Sequence, residues 1–340
     1  MPGEAPLLIA GAKPGPCAYD ADITILCLER PEETKAAIRS ALGQRGGVFH
    51  VSVLDQASAP NTVQAVITEF TGTPRFSLYR AARNLGVGGG RNFLAGCGHG
   101  RIVVGLDNDA VFRSPWTVAG AVKAFNHRPD LGALGFSILA ADGSALDLSS
   151  WGYPQRLRPR FRDKFDTTTF VGAGHAIRRA AWQAVGGYDP SLFFAWEEYD
   201  FCLAAIARSW RIAYDGSLAV LHHRAPAARL ARDARMTWQV RNRLLISRKW
   251  GASWPALTPY LGAYLLRGVI QRELPATLQG MAEAWCVKIP APGKMPKAMR
   301  AYIRAHETRH RGSWLEWLGS QRRPESKASF CEQKEAKKLC

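Results

Sequence analysis

The sequence predicts an open, mainly parallel α/β sheet followed by a helical C-terminal region. Three observations carry that expectation. Short β-branched, apolar runs alternate with helical periods through the first half of the chain. Polar and acidic residues gather at the ends of those runs, where open parallel sheets bind their ligands. Beyond about residue 227 the period is mostly helical.

The elements follow in order. DITILCLE (22–29) is a buried strand closed by Arg30-Pro31. In PEETKAAIRSALGQ, Pro31 suits a first helical position, Glu32 and Glu33 fall in the first turn, and Ala37, Ile38, Ala41 and Leu42 recur at helical spacing. HVSVLDQAS (50–58) predicts a second strand ending in Asp55 and a polar turn, NTVQAVITEF a helix, and RFSLYR a third strand. NLGVGGGRNFLAGCG (84–98) is expected as a glycine-rich loop running into a helix, and RIVVGLDNDA (101–110) as a strand ending in two aspartates. LGALGFSIL is another strand, and 141–168 is polar, arginine-rich and loop-like. TTFVGAGHAIRRAAWQAVGGYDP predicts a strand entering a helix that stops at Gly186-Gly187. EEYDFCLAAIARSW is a helix, and RIAYD and LAVLHH are two short strands. WPALTPYLGAYLLRGVI (254–270), interrupted by Pro255, Thr258, Pro259 and Arg267, predicts a buried or interfacial helix pair and not a membrane span. There is no internal repeat.

The expected division is an N-terminal extension (1–20), an α/β domain (21–226), a basic helical region (227–318) and a charged, disordered tail (319–340). An apolar fraction of 47% with 21% charged residues suits a globular chain. Seven cysteines stand singly, with no C-x-x-C pair, so neither a disulfide framework nor a structural zinc site is expected, and a cytoplasmic setting fits best. The opening MPGEAPLLIAGAKPGP lacks the basic start and the long apolar run of a secretory signal.

The net charge of +17 is concentrated. Residues 1–150 hold 13 Lys/Arg and 13 Asp/Glu, whereas residues 203–340 hold 25 against 9. Such a surface attracts polyanions or stands as a solvated helical face. Trp238, Trp250, Trp254, Tyr260 and Tyr264, with Trp285, Trp314 and Trp317, favour an anionic membrane surface, met peripherally. No nucleic-acid module is present, and no nucleic-acid partner is expected.

Several stretches carry chemistry. NLGVGGGRN is not a dinucleotide fingerprint, because the sixth position counted from Gly86 is Arg91; a phosphate cradle and a tight turn against the sheet both stay open. Asp107 and Asp109, two apart at a strand end, can turn both carboxylates to one point. A hard divalent cation, Mn²⁺ or Mg²⁺, would relieve their repulsion; a turn in which they cap backbone N–H groups is the alternative. His222 and His223 end another apolar strand and add a metal candidate. Cys202 suits a small buried helix position better than a nucleophile. Glu197 and Glu198 open a helix, where the macrodipole favours negative charge. They also stand among Phe194, Trp196 and Tyr199, where desolvation would make a carboxylate a stronger base.

Taken in order, these stretches resemble the family 2 glycosyltransferases, GT-A-fold enzymes that transfer sugars from nucleotide-sugars with inversion, and most closely their bacterial rhamnosyltransferase-like branch. The matching pieces are DQAS (55–58), NLGVGGGRN (84–92), DND (107–109), GAGHAIRR (172–179), GGYDPSLFFAWEEYDFCLAA (186–205) and VLHH (220–223), spread over about residues 22–250. The resemblance implies a GT-A α/β domain with a helical appendage. It implies a nucleoside-diphosphate sugar donor (rhamnose or another hexose), and a glycan or lipid-linked acceptor in cell-envelope polysaccharide synthesis at the inner membrane face. By position, Asp55 would bind the nucleotide base and Asp107 would lie near the ribose. Asn84, Arg91 and Arg241 would join the donor site, with Asn242 beside Arg241. Asp109 and His222 would hold Mn²⁺ or Mg²⁺, and Glu198, or Glu197 in its place, would deprotonate the acceptor.

The chain departs from that pattern at Cys27, Leu28 and Glu29, at Gln56, and at Glu198, where the family has aspartate. The rival readings are an inactive GT-A-like polyanion- or membrane-binding protein, favoured by the altered first strand, and a nucleotidyltransferase, for which CLERPEE lacks the required glycines.

Overall fold

The computed structural model describes residues 4–15, 19–223, 231–252, 254–289 and 293–310. In chain order the strands are β1 (Leu7–Gly11), β2 (Ala21–Cys27), β3 (Phe49–Asp55), β4 (Phe76–Arg80), β5 (Ile102–Asp107), β6 (Ala110–Phe112), β7 (Leu131–Ala140), β8 (Lys164–Thr167), β9 (Gly174–Arg178) and β10 (Arg211–His222). The helices are α1 (Pro31–Leu42), α2 (Pro60–Phe70), α3 (Gly86–Cys97), α4 (Thr117–His127), α5 (Arg179–Val185), α6 (Glu197–Ala207), α7 (Arg232–Lys249), α8 (Trp254–Gln271), α9 (Leu274–Cys286) and α10 (Lys297–His306).

All strands join one sheet in the order β1-β4-β3-β2-β5-β9-β7-β10-β6, with β8 also paired to β10. β4, β3, β2 and β5 are parallel, β9 is antiparallel between β5 and β7, and β10 is parallel to β7. This topology sends the carboxyl ends of β3, β5 and β10 to one edge. In register, Cys27 pairs with Asp55, and Leu26 with Asp107, so the acids expected from the sequence share that edge with His222 at the end of β10.

The sheet is covered on both faces, and β2 explains how. Ile23 and Ile25 are fully buried against Ala37 and Ile38 of α1, each worth about 1.5–3 kcal/mol of apolar burial. The alternate residues Asp22 and Thr24 face the other side, where Arg179 Nη2 meets Asp22 Oδ2 at 2.5 Å and Arg91 Nη1 donates to the Thr24 carbonyl at 2.6 Å. Beyond the sheet, Met236, Val240 and Leu244 of α7 pack against Leu257 of α8 and Ala276 of α9 in a core of their own.

Four expectations are corrected here. The glycine-rich stretch is not a loop: α3 begins at Gly86 itself. Helix–loop contact leaves no room for side chains there, since a Cβ on Gly86 (φ 73) would meet the Phe193 carbonyl. RIAYD and LAVLHH are one strand, β10, whose register shifts between Asp215 and Ala219 around a turn that Asp215 closes on Ser217 N–H at 3.0 Å. The segment 254–270 is one helix with Pro259 inside, not a pair. The stretch 141–168 is not all loop, because β8 lies at its end. Residues 7–11 of the N-terminal extension also join the sheet, as β1. The charged tail lies outside the described residues.

Candidate active site

Asp107 closes β5 and Asp109 follows in the turn to β6. Asp107 Oδ1 accepts from Arg91 Nη2 at 2.9 Å. Its side chain keeps 42% of its surface open although protein surrounds it on most sides; burial and the charge of Asp109 raise its pKa against the pull of Arg91. Asp109 is recessed: Oδ2 faces Arg30 Nη1 at 2.5 Å and Oδ1 faces His222 Nε2 at 3.3 Å. Burial would raise its pKa, but these two cations hold it below the usual value. His222 Nδ1 lies 2.9 Å from Asp147 Oδ2. Burial opposes charge on the imidazole, yet Asp109 and Asp147 lift its pKa to about 9.

Asp109 and His222 could hold a hard cation only if His222 gave up the proton that Asp109 and Asp147 favour and Arg30 released Asp109 Oδ2. Asp147 fixes the Nδ1 side of His222, which turns Nε2 toward Asp109, an arrangement that orients metal-binding histidines. Among the described residues no group of three or more His, Cys, Asp or Glu side chains is arranged to hold a metal by itself. Asp109 and His222 would therefore need further oxygen ligands, which a diphosphate supplies.

Within the electrostatic reach of Asp107, α6 begins with Glu197 and Glu198. Its approach is strained: Phe193, Ala195 and Trp196 have φ values of 51°, 67° and 73°. Each left-handed non-glycine residue costs about 1–2 kcal/mol, so the surroundings must impose them. Helix α7 does so. Asn242, fully buried, directs Nδ2 to the carbonyls of Leu192, Phe194 and Ala195 at 2.6, 2.8 and 2.9 Å. The next residue, Arg243, sets its guanidinium among the rings of Trp196, Tyr199 and Tyr260. Lys249 Nζ meets Asp200 Oδ2 at 2.7 Å.

The two glutamates differ. Glu197 is 3% exposed, and its Oε2 has no hydrogen-bond partner among the described residues. Burial, with the charge of Glu198, pushes its pKa well above the usual value. Glu198 is half-buried; burial and the charge of Asp107 raise it only to about 7. The link between the two acidic groups is short: Asp107 N–H donates to the Ala173 carbonyl at 3.3 Å, and the neighbouring Gly172 lies against Glu198 Oε1.

The other expected residues fall in two groups. Asp55 is buried at the same sheet edge, with Oδ1 accepting from Ser58 N–H at 3.2 Å and Oδ2 lacking a hydrogen bond, 3.7 Å from Arg80 Nε. Burial raises its pKa. Asn84 Oδ1 accepts from Gly86 N–H at 2.8 Å and so starts α3. Arg91, expected at a donor, is buried, and its guanidinium is engaged by Thr24, Leu106 and Asp107: it positions Asp107. Arg241 donates to the Ser191 carbonyl at 3.2 Å and to Asn242 Oδ1 at 2.6 Å, and no described contact joins it to Asp107 or Asp109. Glu29, at the altered strand end, accepts from Ala59 N–H and Thr62 Oγ1, each at 2.8 Å, capping α2.

Sequence reasoning missed Arg30, Asp147, Gly172 and the anchoring by Asn242. Asn242 was within sight, next to Arg241; Asp147 sits in a polar stretch with no distinguishing pattern. A cleft of about 640 Å³ lined by His127, Arg128, Lys164 and Asp166 lies elsewhere, and its Arg128–Asp166 and Lys164–Asp215 ion pairs satisfy one another.

Comparison with known proteins bears on the fold. Residues 22–186 match the family described as Glycosyl transferase family 2. No curated protein matches by sequence. Among solved structures, the mannosyltransferase PcManGT from Pyrobaculum calidifontis, in complex with GDP-Man and Mn²⁺, is 16% identical with a TM-score of 0.54, over 90% of this chain and 82% of that one. GalNAc-T7 with UDP, GalNAc and Mn²⁺ is 14% identical with a TM-score of 0.59, over 84% of this chain but 56% of its own. S. aureus TarS 1-349 in complex with UDP-GlcNAc is 14% identical with a TM-score of 0.54, over 83% of each chain. At these identities the likeness establishes the GT-A fold.

Proposed function

From this family 2 glycosyltransferase segment, we propose that the protein moves a sugar from a nucleoside-diphosphate donor to an acceptor hydroxyl, with inversion at the anomeric carbon. The observation that carries the reading is Glu198: a half-buried carboxyl, raised to about 7 by burial and the charge of Asp107, resting against Gly172 beside the residue that binds the Asp107 N–H. A base of that strength is near its optimum at neutral pH.

In this reading Asp55 and Asp107 take the nucleoside, and Asp109 with a neutral His222 would hold a divalent ion. Bound there, Mn²⁺ or Mg²⁺ supplies positive charge to the departing phosphate oxygen. Arg30, beside Asp109, adds a second cation at the same end of the cleft. Glu198 takes the proton of the acceptor hydroxyl. The hydroxyl oxygen bonds to the anomeric carbon while the carbon–oxygen bond to the diphosphate breaks, its electron pair leaving with the phosphate. Glu197, whose burial favours the neutral form, stands beside the base. The acceptor is a glycan or lipid-linked sugar of cell-envelope polysaccharide synthesis, met by the basic C-terminal region at a membrane.

Glu29 favours a second reading. Its carboxylate is committed to the start of α2, where the family's first strand contributes to donor binding, and a GT-A-like binding protein without turnover would have such an end. Thermal unfolding with UDP, GDP, dTDP or CMP, each with and without Mn²⁺, separates the two. Metal-dependent stabilisation by one nucleotide in the wild type and not in Asp109→Ala supports the transferase; no shift with any nucleotide overturns it.

A further inference from the structure

Helices α8 and α9 pack their inner faces on α7 and turn largely apolar faces outward. The exposed positions of α8 include Ala256, Pro259, Gly262, Leu265, Val269 and Ile270, and those of α9 include Leu278, Ala282 and Trp285. The one acid on the two helices, Glu283, keeps 42% of its side chain open and faces Arg241 Nε at 3.8 Å. Val269, Trp285 and Leu278 are 60%, 59% and 50% exposed. Half of the exposed large apolar side chains of the described residues fall on this hairpin. Exposed apolar side chains gathered on two packed helices mark an interaction surface.

Its borders are basic. Arg272 stands exposed at the turn, and Arg248 lies over the Trp285 ring at 5.7 Å. A cleft of about 570 Å³ separates Ala256 and Tyr260 of α8 from Lys294 and from Arg300 and Arg304 of α10. None of these three cations has an ion-pair partner among the described residues. No described helix is long and apolar enough to cross a membrane.

We propose that the α8–α9 hairpin lies in the headgroup layer of an anionic bilayer, with Lys294, Arg300 and Arg304 on lipid phosphates. A largely apolar helix face edged by tryptophan and basic side chains fits that interface. Charge decides against a second copy of this chain: self-association through this face would bring two basic borders together, whereas anionic lipid neutralises them. The proposal deepens the membrane-facing part of the reading above, but vesicle binding is measured without nucleotide or sugar, so the transferase reading can fail without it.

The test is co-sedimentation of the full chain with phosphatidylglycerol–phosphatidylcholine vesicles, against phosphatidylcholine alone, at low and high salt. The wild type should bind the anionic vesicles and release them at high salt. Val269→Asp with Leu278→Asp should weaken binding about tenfold or more by removing buried apolar area, with the thermal midpoint unchanged. Arg300→Glu with Arg304→Glu should weaken it at least about tenfold, since each basic residue at such a surface contributes about fivefold. Failure of the wild type to bind at low salt overturns the proposal, as does unchanged binding by the Val269/Leu278 variant. A wild-type dimer that ignores vesicles and is split by the Val269/Leu278 variant also overturns it, and assigns the face to self-association.

Discussion

A methyl group at Gly172 would stand 2.3 Å from Oε1 of Glu198. The glycine is thus the wall against which the half-buried carboxylate rests. Gly172→Ala should turn Glu198 out of position and lower kcat, while nucleotide-induced stabilisation stays close to wild type. Equal loss of both would mean that the wall supports the whole cleft and not the base alone.

Glu198→Gln should lower kcat by about 100- to 10,000-fold, the usual contribution of a general base. Wild-type kcat should rise with pH through about 7, because the base works only when deprotonated, and this limb should vanish in the variant. Stability should move the opposite way. A carboxyl raised from 4.5 to about 7 in the folded state favours folding while protonated, so its contribution is lost as pH rises across that window. Paired unfolding curves of wild type and variant from pH 4 to 8 test the sign.

Asp147→Asn tests the hold on His222. If Asp147 turns Nε2 toward the metal, Mn²⁺ affinity, read by calorimetry in the presence of the stabilising nucleotide, should fall about 10- to 100-fold. Asp109→Ala should abolish it. An unchanged Mn²⁺ isotherm for both variants would remove these residues from the metal site.

Asn242→Ala leaves the carbonyls of Leu192, Phe194 and Ala195 without that donor and should destabilise the fold by about 1–3 kcal/mol. The three left-handed residues would then be free to relax, so kcat should fall further than donor KM rises. A stability loss with unchanged kcat would limit Asn242 to a structural role.

What the sequence made legible was whatever is local. Asp107, Asp109 and His222 end apolar runs, and the alternation of runs and helical periods is enough to put such ends on one edge of a parallel sheet. Glu197 and Glu198 were legible as a helix start for the same reason. What required the fold was every pairing between distant segments. Glycines at 86 and 88–90 suggest a loop by composition, and only contact of Gly86 and Gly88 with residues 188–193, and of Gly90 with Leu26 and Gln56, explains them in a helix. Arg91 looks like an anion contact until burial shows its guanidinium committed to four backbone or side-chain oxygens. Asn242 serves a loop some 50 positions earlier.

Strand β1 deserves its own reckoning. It runs antiparallel along β4, which would otherwise present a row of unpaired N–H and C=O groups bearing FSLYR at the rim of the sheet. Bare rims of that kind recruit strands from other molecules. Residues 7–11 therefore act as a selvedge, finishing the cloth so that it does not stick to its neighbour. A chain trimmed to the family-matched boundary at Asp22 would keep every residue of the proposed chemistry and still tend to clump.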